Sequence, residues 1–167
     1  MADLAFDSAG NLYGVASVGG PDLYKINAVT GQATLVGANG ASTSTSGGGL
    51  AISPGGTFYG TPTSSRYGTY DSTTGAYTNI ANPTKPAGTG AYGALDFDGS
   101  VLYGLNVGPG SPPPTALTII DLATGAVTNV GASIASIDAI AFLVPEPATV
   151  GLFAIGLTAI ACRRRRH

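Results

Sequence analysis

Few residues in this chain could do chemistry. His167, the last residue, is the only histidine, and Cys162 is the only cysteine. Ser–His and Cys–His nucleophile pairs therefore cannot assemble in residues 1–143, and no His/Cys cluster has zinc spacing. A lone cysteine also excludes an intrachain disulfide. Asp96 and Asp98 stand two apart, so in a strand their carboxylates share one face and could serve as a catalytic pair or as calcium ligands. Asp98 followed by Gly99 is more simply a turn. Gly88, Gly90 and Gly93 match G-x-G-x-x-G, a motif that needs a strand before it and a helix after it. Here Pro83 and Pro86 precede it and residues 94–98 read as a strand, so a loop is expected. Thr43 and Thr45 form a single T-x-T, one copy of a spacing that flat ice-binding faces use in long arrays. Tyr13, Tyr59 and Tyr103 could stack on sugar rings, but their matched positions point to core packing. No catalytic, cofactor-binding or metal-binding residue is expected, and the body reads as non-catalytic.

The charge distribution narrows the partners. Residues 1–147 hold nine acidic side chains against Lys25, Arg66 and Lys85, a net charge near −6. An acidic, sparsely charged body has no electrostatic footprint for nucleic acid. The remaining basic side chains, Arg163, Arg164, Arg165 and Arg166, stand together at the C-terminal end.

That end has three parts in order. Val144, Pro145, Glu146 and Pro147 form a rigid spacer, since each proline fixes its own φ and restrains the residue before it. Ala148 to Cys162 is an uncharged run of 15 residues, and the arginine block follows. As a helix the run rises about 22 Å, short of a hydrocarbon core of roughly 30 Å. Val150, Leu152, Phe153, Ile155, Leu157 and Ile160 would each favour insertion by about 0.3–0.6 kcal/mol, a marginal anchor of about 2–4 kcal/mol together. The arginines act as a cytoplasmic stop, leaving the body on the far side of the membrane. A core helix with a solvated basic end is the plainer alternative.

The order of spacer, apolar run and arginines resembles the PEP-CTERM sorting signal of exopolysaccharide-producing Gram-negative bacteria. That resemblance covers residues 144–167 and implies a transient inner-membrane anchor cleaved near the Pro-Glu-Pro motif by an exosortase, a membrane protease. It implies a product at the cell surface or outside the cell; exopolysaccharide is the partner hypothesised for that product. Members of the family begin with a secretory signal peptide, whereas this chain opens on Met1, Ala2, Asp3 and Leu4 with neither a basic nor an apolar leader. The expectation is that the true start lies upstream.

The elements that would position any site come from internal repetition. Leu4-Ala5-Phe6-Asp7, Leu50-Ala51-Ile52-Ser53 and Leu95-Asp96-Phe97-Asp98 each open a unit. Each leads through a turn to a Tyr-Gly pair, at Tyr13, Tyr59 and Tyr103, spaced 46 and then 44 residues apart. A second motif ends in Thr-Gly, at Asn27 to Gly31, Asp71 to Gly75 and Asp121 to Gly125. An Asn or Asp side chain bonds its own turn there and the glycine supplies a positive φ, the chemistry of a hairpin. With 26 glycines, eight tyrosines and no tryptophan, the chain favours short strands over helices.

Four strands in about 45 residues make one propeller blade. The pattern resembles NHL-like and related β-propeller repeats. The expected fold is all-β: a propeller-like array of about three four-stranded repeats, an incomplete propeller, followed by a C-terminal hydrophobic helix. The domains are 1–143, with repeats at about 1–46, 47–91 and 92–136 and a partial fourth strand at 137–143, and the sorting tail 144–167. Residues 37–49, 82–90 and 108–114 read as flexible or polyproline-like connectors, where ligand contacts would gather. The expected function is an exported, non-catalytic structural or binding module. The alternative is a fragment of a secreted propeller enzyme, a hydrolase or lyase whose active site lies in a missing N-terminal part.

Overall fold

A computed structural model describes residues 2–16, 22–37 and 48–142. Its chain folds into three four-stranded antiparallel sheets, each built from consecutive strands. The first holds β1 (Asp3–Phe6), β2 (Leu12–Val15), β3 (Leu23–Ile26) and β4 (Ala33–Gly37). The second holds β5 (Gly49–Ile52), β6 (Phe58–Thr61), β7 (Tyr67–Tyr70) and β8 (Tyr77–Ala81). The third holds β9 (Ala91–Asp98), β10 (Val101–Val107), β11 (Thr115–Ile120) and β12 (Val127–Ser133). The first strands β1, β5 and β9 lie side by side, so the sheets radiate from a common inner edge as propeller blades do.

Local chemistry sets the hairpins. Asp71 Oδ1 accepts the N–H groups of Thr73 (2.9 Å) and Thr74 (2.7 Å), and Gly75 follows at φ +70°. Asn27 holds Val29 and Thr30 in the same way, and Asp121 holds Ala123 and Thr124. Each carboxylate or amide thus replaces a neighbour that the reversing backbone would otherwise lack. The repeats agree even in their irregularity. A ladder shift falls at Leu23/Tyr24, at Tyr67/Gly68 and at Leu117/Thr118, so the third and fourth strands of every sheet bend at one equivalent point.

Strand alternation gives every sheet two apolar faces. On the second sheet, Leu50, Phe58 and Tyr70 turn toward the first sheet, where Tyr13, Val15 and Leu23 meet them. The opposite face, with Ala51, Tyr59 and Tyr67, turns toward Leu95, Leu102 and Ile120 of the third. Tyr13 meets Phe58 edge-on at 4.8 Å between ring centroids, and Tyr59 stacks on Tyr67. Tyr13 is buried and Tyr59 and Tyr103 are half-buried, all three in aromatic contacts.

Two expectations change or fall elsewhere. Ile137 to Phe142 was expected to begin a fourth unit, but it pairs with no strand among the described residues. Instead it lies on the third sheet, with the Phe142 N–H donating to Asp96 Oδ2 (2.7 Å) and its ring 4.8 Å from Tyr103. A strand exists only through a ladder partner, and no described segment supplies one. The expected C-terminal hydrophobic helix lies outside the described residues. Among those described, no helix is long and apolar enough to cross a membrane.

The hairpin turns also latch the sheets together. A Cβ on Gly75 would stand 2.6 Å from Gly37 Cα, whereas one on Gly31 would meet nothing within 4 Å. Both glycines have positive φ, so Gly31→Ala isolates the backbone strain, about 1–2 kcal/mol. Gly75→Ala is expected to cost about 1–3 kcal/mol more, because the close approach of two sheets must open. Urea unfolding of the two variants checks this; equal losses would show that the latch carries no packing.

Candidate functional site

The array has two unlike ends. At one end lie the tight first-to-second and third-to-fourth strand turns, the latter sharing an Asn or Asp and a Thr-Gly pair. Asp7, Asp71 and Asp121 are acidified by their own turns. The Thr124 side chain and backbone hold Asp121 below the usual carboxylate range, and the Thr74 and Thr73 amides do the same for Asp71. Asp7 is lowered chiefly by the Asn11 side chain, which donates to it at 2.8 Å. These groups are occupied in holding turns.

The other end gathers the longer connectors that differ from unit to unit. There the loop at residues 82–90 lies against the loop at residues 108–114. Asn106, fully buried on β10, organises them: its Oδ1 accepts the Ala87 N–H (2.8 Å) and its Nδ2 donates to the Ala91 carbonyl (3.1 Å). The Tyr92 hydroxyl donates to the Thr84 carbonyl at 2.7 Å. A Cβ on Gly88 would stand 3.2 Å from Pro109, and the Ser136 N–H reaches the Pro113 carbonyl at 3.0 Å. These connectors, expected to be flexible or polyproline-like, are therefore pinned into one platform carrying Lys85. Much of residues 37–49, with Thr43 and Thr45, lies outside the described residues.

At the inner edge of this same end stands Asp3. Its Oδ2 accepts the Leu50 N–H (2.8 Å) and, more weakly, the Leu95 N–H (3.4 Å), while Oδ1 takes the Leu4 N–H. One carboxylate thus touches the inner strands of all three sheets. Burial raises its pKa from 3.8 to about 6 and the nearby Asp96 adds to the rise, against the lowering effect of the three amides. In the other units the matching positions are Gly49 and Ala94. A Cβ on Gly49 would stand 2.7 Å from Leu95 Cγ, so only one carboxylate fits this crowded edge.

Asp96 and Asp98 do share a strand, as the spacing implies, but Asp96 is engaged by the N–H groups of Phe97 and Phe142, and Asp98 closes the Gly99 turn on the surface. Among the described residues no three His, Cys, Asp or Glu side chains gather where they could hold a metal ion. Gly88, Gly90 and Gly93 run from the loop directly into β9, with no helix following. Cys162 and His167 lie outside the described residues, as do Val144 to Pro147, Ala148 to Cys162 and Arg163 to Arg166.

Comparison with known families matches residues 143–166 to the PEP-CTERM protein-sorting motif. The chain carries a PEP-CTERM sorting tail. Such a tail marks an exported protein that passes through a membrane-anchored stage and is processed by an exosortase. No curated protein matches the chain by sequence. Among solved structures it is similar to a puromycin hydrolase, at 18% identity with a TM-score of 0.48 over 82% of this chain and 21% of that one. It is also similar to a puromycin-hydrolyzing peptidase of Mycobacterium tuberculosis, at 17% identity with a TM-score of 0.46 over 80% of this chain and 21% of that one. The chain thus spans about a fifth of the length of these structures.

Neither Asp3 nor Asn106 announces itself in the sequence. The one available signal is departure from the repeat: Asp3 stands where the other units have Gly49 and Ala94, and Asn106 interrupts an otherwise apolar strand.

Asp3 gives a test with a definite sign. Below pH 3.8 it is protonated both folded and unfolded; between 3.8 and about 6 only the folded chain keeps the proton. Its contribution is therefore complete at low pH and is lost as pH rises through about 6. Asp3→Asn, which keeps an acceptor for Leu50, is expected to gain about 1–3 kcal/mol relative to the parent between pH 3.5 and 7. Asp3→Ala removes the acceptor as well and should lose about 1–3 kcal/mol at pH 4. Urea titrations across this range decide; a pH-independent difference for Asp3→Asn would mean that Asp3 titrates as an exposed aspartate.

Proposed function

We propose that the chain is a non-catalytic structural or binding component of the cell envelope or extracellular matrix. It is delivered there by its sorting tail, and it contacts its partner through the pinned loop platform. The tail is the single observation that carries the reading. A protein anchored through the inner membrane and then cut near Pro145 to Pro147 ends its route at the surface or beyond it. Exopolysaccharide is the partner to test first, because a sorted envelope protein meets it there. In support of a non-catalytic role, four well-placed polar groups among the described residues have structural tasks. Asp7, Asp71 and Asp121 hold turns, and Asn106 holds the loops.

One observation favours the rival reading, a secreted hydrolase or lyase. A carboxylate with a pKa of about 6, such as Asp3, suits general acid–base work. Its amide bonds to Leu50 and Leu95 give it a sufficient role as a clamp instead.

Two measurements test the proposal. Intact mass of the protein recovered from its producing cells and medium is expected to show loss of the segment after the Pro145–Pro147 region. Replacing Pro145, Glu146 and Pro147 together by alanine should leave the uncut chain in the membrane fraction. An uncut parent protein in the cytoplasm would overturn the sorting route. Binding of the recovered protein to exopolysaccharide from the same cells is expected to saturate without change in the length of the polymer. Progressive shortening would establish the enzyme instead.

A further inference from the structure

The chain crosses the body once more after β12. That strand ends at Ser133 opposite Thr115, at the loop end of the third sheet. The Ser136 N–H still donates to the Pro113 carbonyl of the 108–114 loop (3.0 Å). Asp138 then lies against Gly93 near the start of β9, so closely that a side chain at Gly93 would collide with its Oδ1. Four residues on, the Phe142 N–H donates to Asp96 Oδ2 (2.7 Å), and the Phe142 ring lies 4.8 Å from that of Tyr103. Asp96 and Tyr103 are register partners beside the tight turn that joins β9 to β10. Residues 136–142 thus run from the loop end of the third sheet to its tight-turn end. Phe142 is fixed there by a hydrogen bond and a ring contact.

This seat limits where the sorting tail can go. Five residues, 143–147, separate Phe142 from the apolar run that opens at Ala148. An extended chain gains at most about 3.6 Å per residue, so Ala148 lies within about 20 Å of the seat. The sheet is of similar height. β10 spans seven residues, about 20 Å at the rise of a strand. With the loop end toward the bilayer, the five residues would be used up in running back along the sheet, and none would remain for a protease to grip. With the tight-turn end toward the bilayer, the whole spacer stands between body and membrane.

We propose that, while the tail is attached, the body stands with its tight-turn end toward the bilayer and its loop platform directed away, an orientation set by the Phe142 seat. The orientation presupposes the sorting route proposed for the tail. The turn end carries Asp7, Asp71 and Asp121, each held ionised by its own turn. Anionic headgroups repel that charge, so the spacer stays accessible to the protease. The platform organised by Asn106 then meets partners even before the tail is removed, and cleavage leaves the new C-terminus at the opposite end.

The test uses the full chain reconstituted in vesicles of phosphatidylcholine and phosphatidylglycerol whose headgroups carry an energy-transfer acceptor. In a Cys162→Ala background, the donor is placed on Ala123→Cys, exposed at the tight-turn end of the third sheet, or on Thr89→Cys, exposed at its loop end. Transfer from position 123 is expected to exceed that from position 89 by about twofold or more, given a height difference of about 20 Å. Asp96→Asn, which keeps an acceptor for the Phe142 N–H, should preserve the ratio. Asp96→Ala combined with Phe142→Ala removes the seat and should bring the ratio close to one, with circular dichroism unchanged. Equal transfer from the two positions in the parent, stronger transfer from position 89, or a ratio that survives loss of the seat would each overturn the inference and leave the sorting route standing. A chain that does not float with the vesicles would overturn the sorting route and this orientation with it.

Discussion

The structure depends on the fact that each of its sheets is apolar on both faces. A four-stranded sheet with Leu50, Phe58 and Tyr70 on one side and Ala51, Tyr59 and Tyr67 on the other cannot stand alone in water. It is stable only between neighbours, and truncating one of its buried leucines would cost about 2–5 kcal/mol. Stacking along a common inner edge satisfies every internal face, because the far face of one unit complements the near face of the next. The same requirement explains the conserved geometry of the turns. The asparagine or aspartate that caps each third-to-fourth strand hairpin also aims its glycine at the preceding sheet, so a local device for reversing the chain becomes a contact between units.

Crowding at the inner edge is the second constraint. Three strands converge there closely enough that Gly48 and Gly49 leave no room for a side chain. Asp3 occupies this edge because two inner-strand amides of the other sheets would otherwise lack acceptors. The crowding that makes it useful also withdraws it from water and raises its pKa. Its titration runs opposite to that of the exposed turn aspartates, which hydrogen bonds to their ionised form hold low. Stability near neutral pH thus balances one carboxylate that resists ionisation against three that favour it.

The two ends divide the work. Tight turns leave little freedom at one end, since each residue there is committed to a hairpin or a latch. The loop end carries the longer, variable connectors, and buried Asn106 spends both halves of its amide to give two of them a fixed shape. Delivery is written elsewhere, in a tail whose signal is an order of rigid spacer, apolar run and positive charge and does not depend on the body.

The sequence alone determined the strands, the hairpins and the export signal, because each rests on neighbours in the chain. Asp71 caps Thr74 three residues on, Leu4 and Phe6 alternate about Ala5, and Pro145 to Arg166 acts as a linear signal. It did not determine the roles of Asp3, Asn106 or Phe142. Asp3 binds amides 47 and 92 residues away, and Asn106 reaches back to a loop 19 residues earlier. Ile137 to Phe142 reads in the sequence as the first strand of a fourth unit. Only the tertiary structure decided that it packs on Tyr103 without a ladder, because pairing depends on which segments the folded chain brings alongside. The crowding that selects glycine or aspartate at the inner edge is likewise a property of three strands together, and no single repeat contains it.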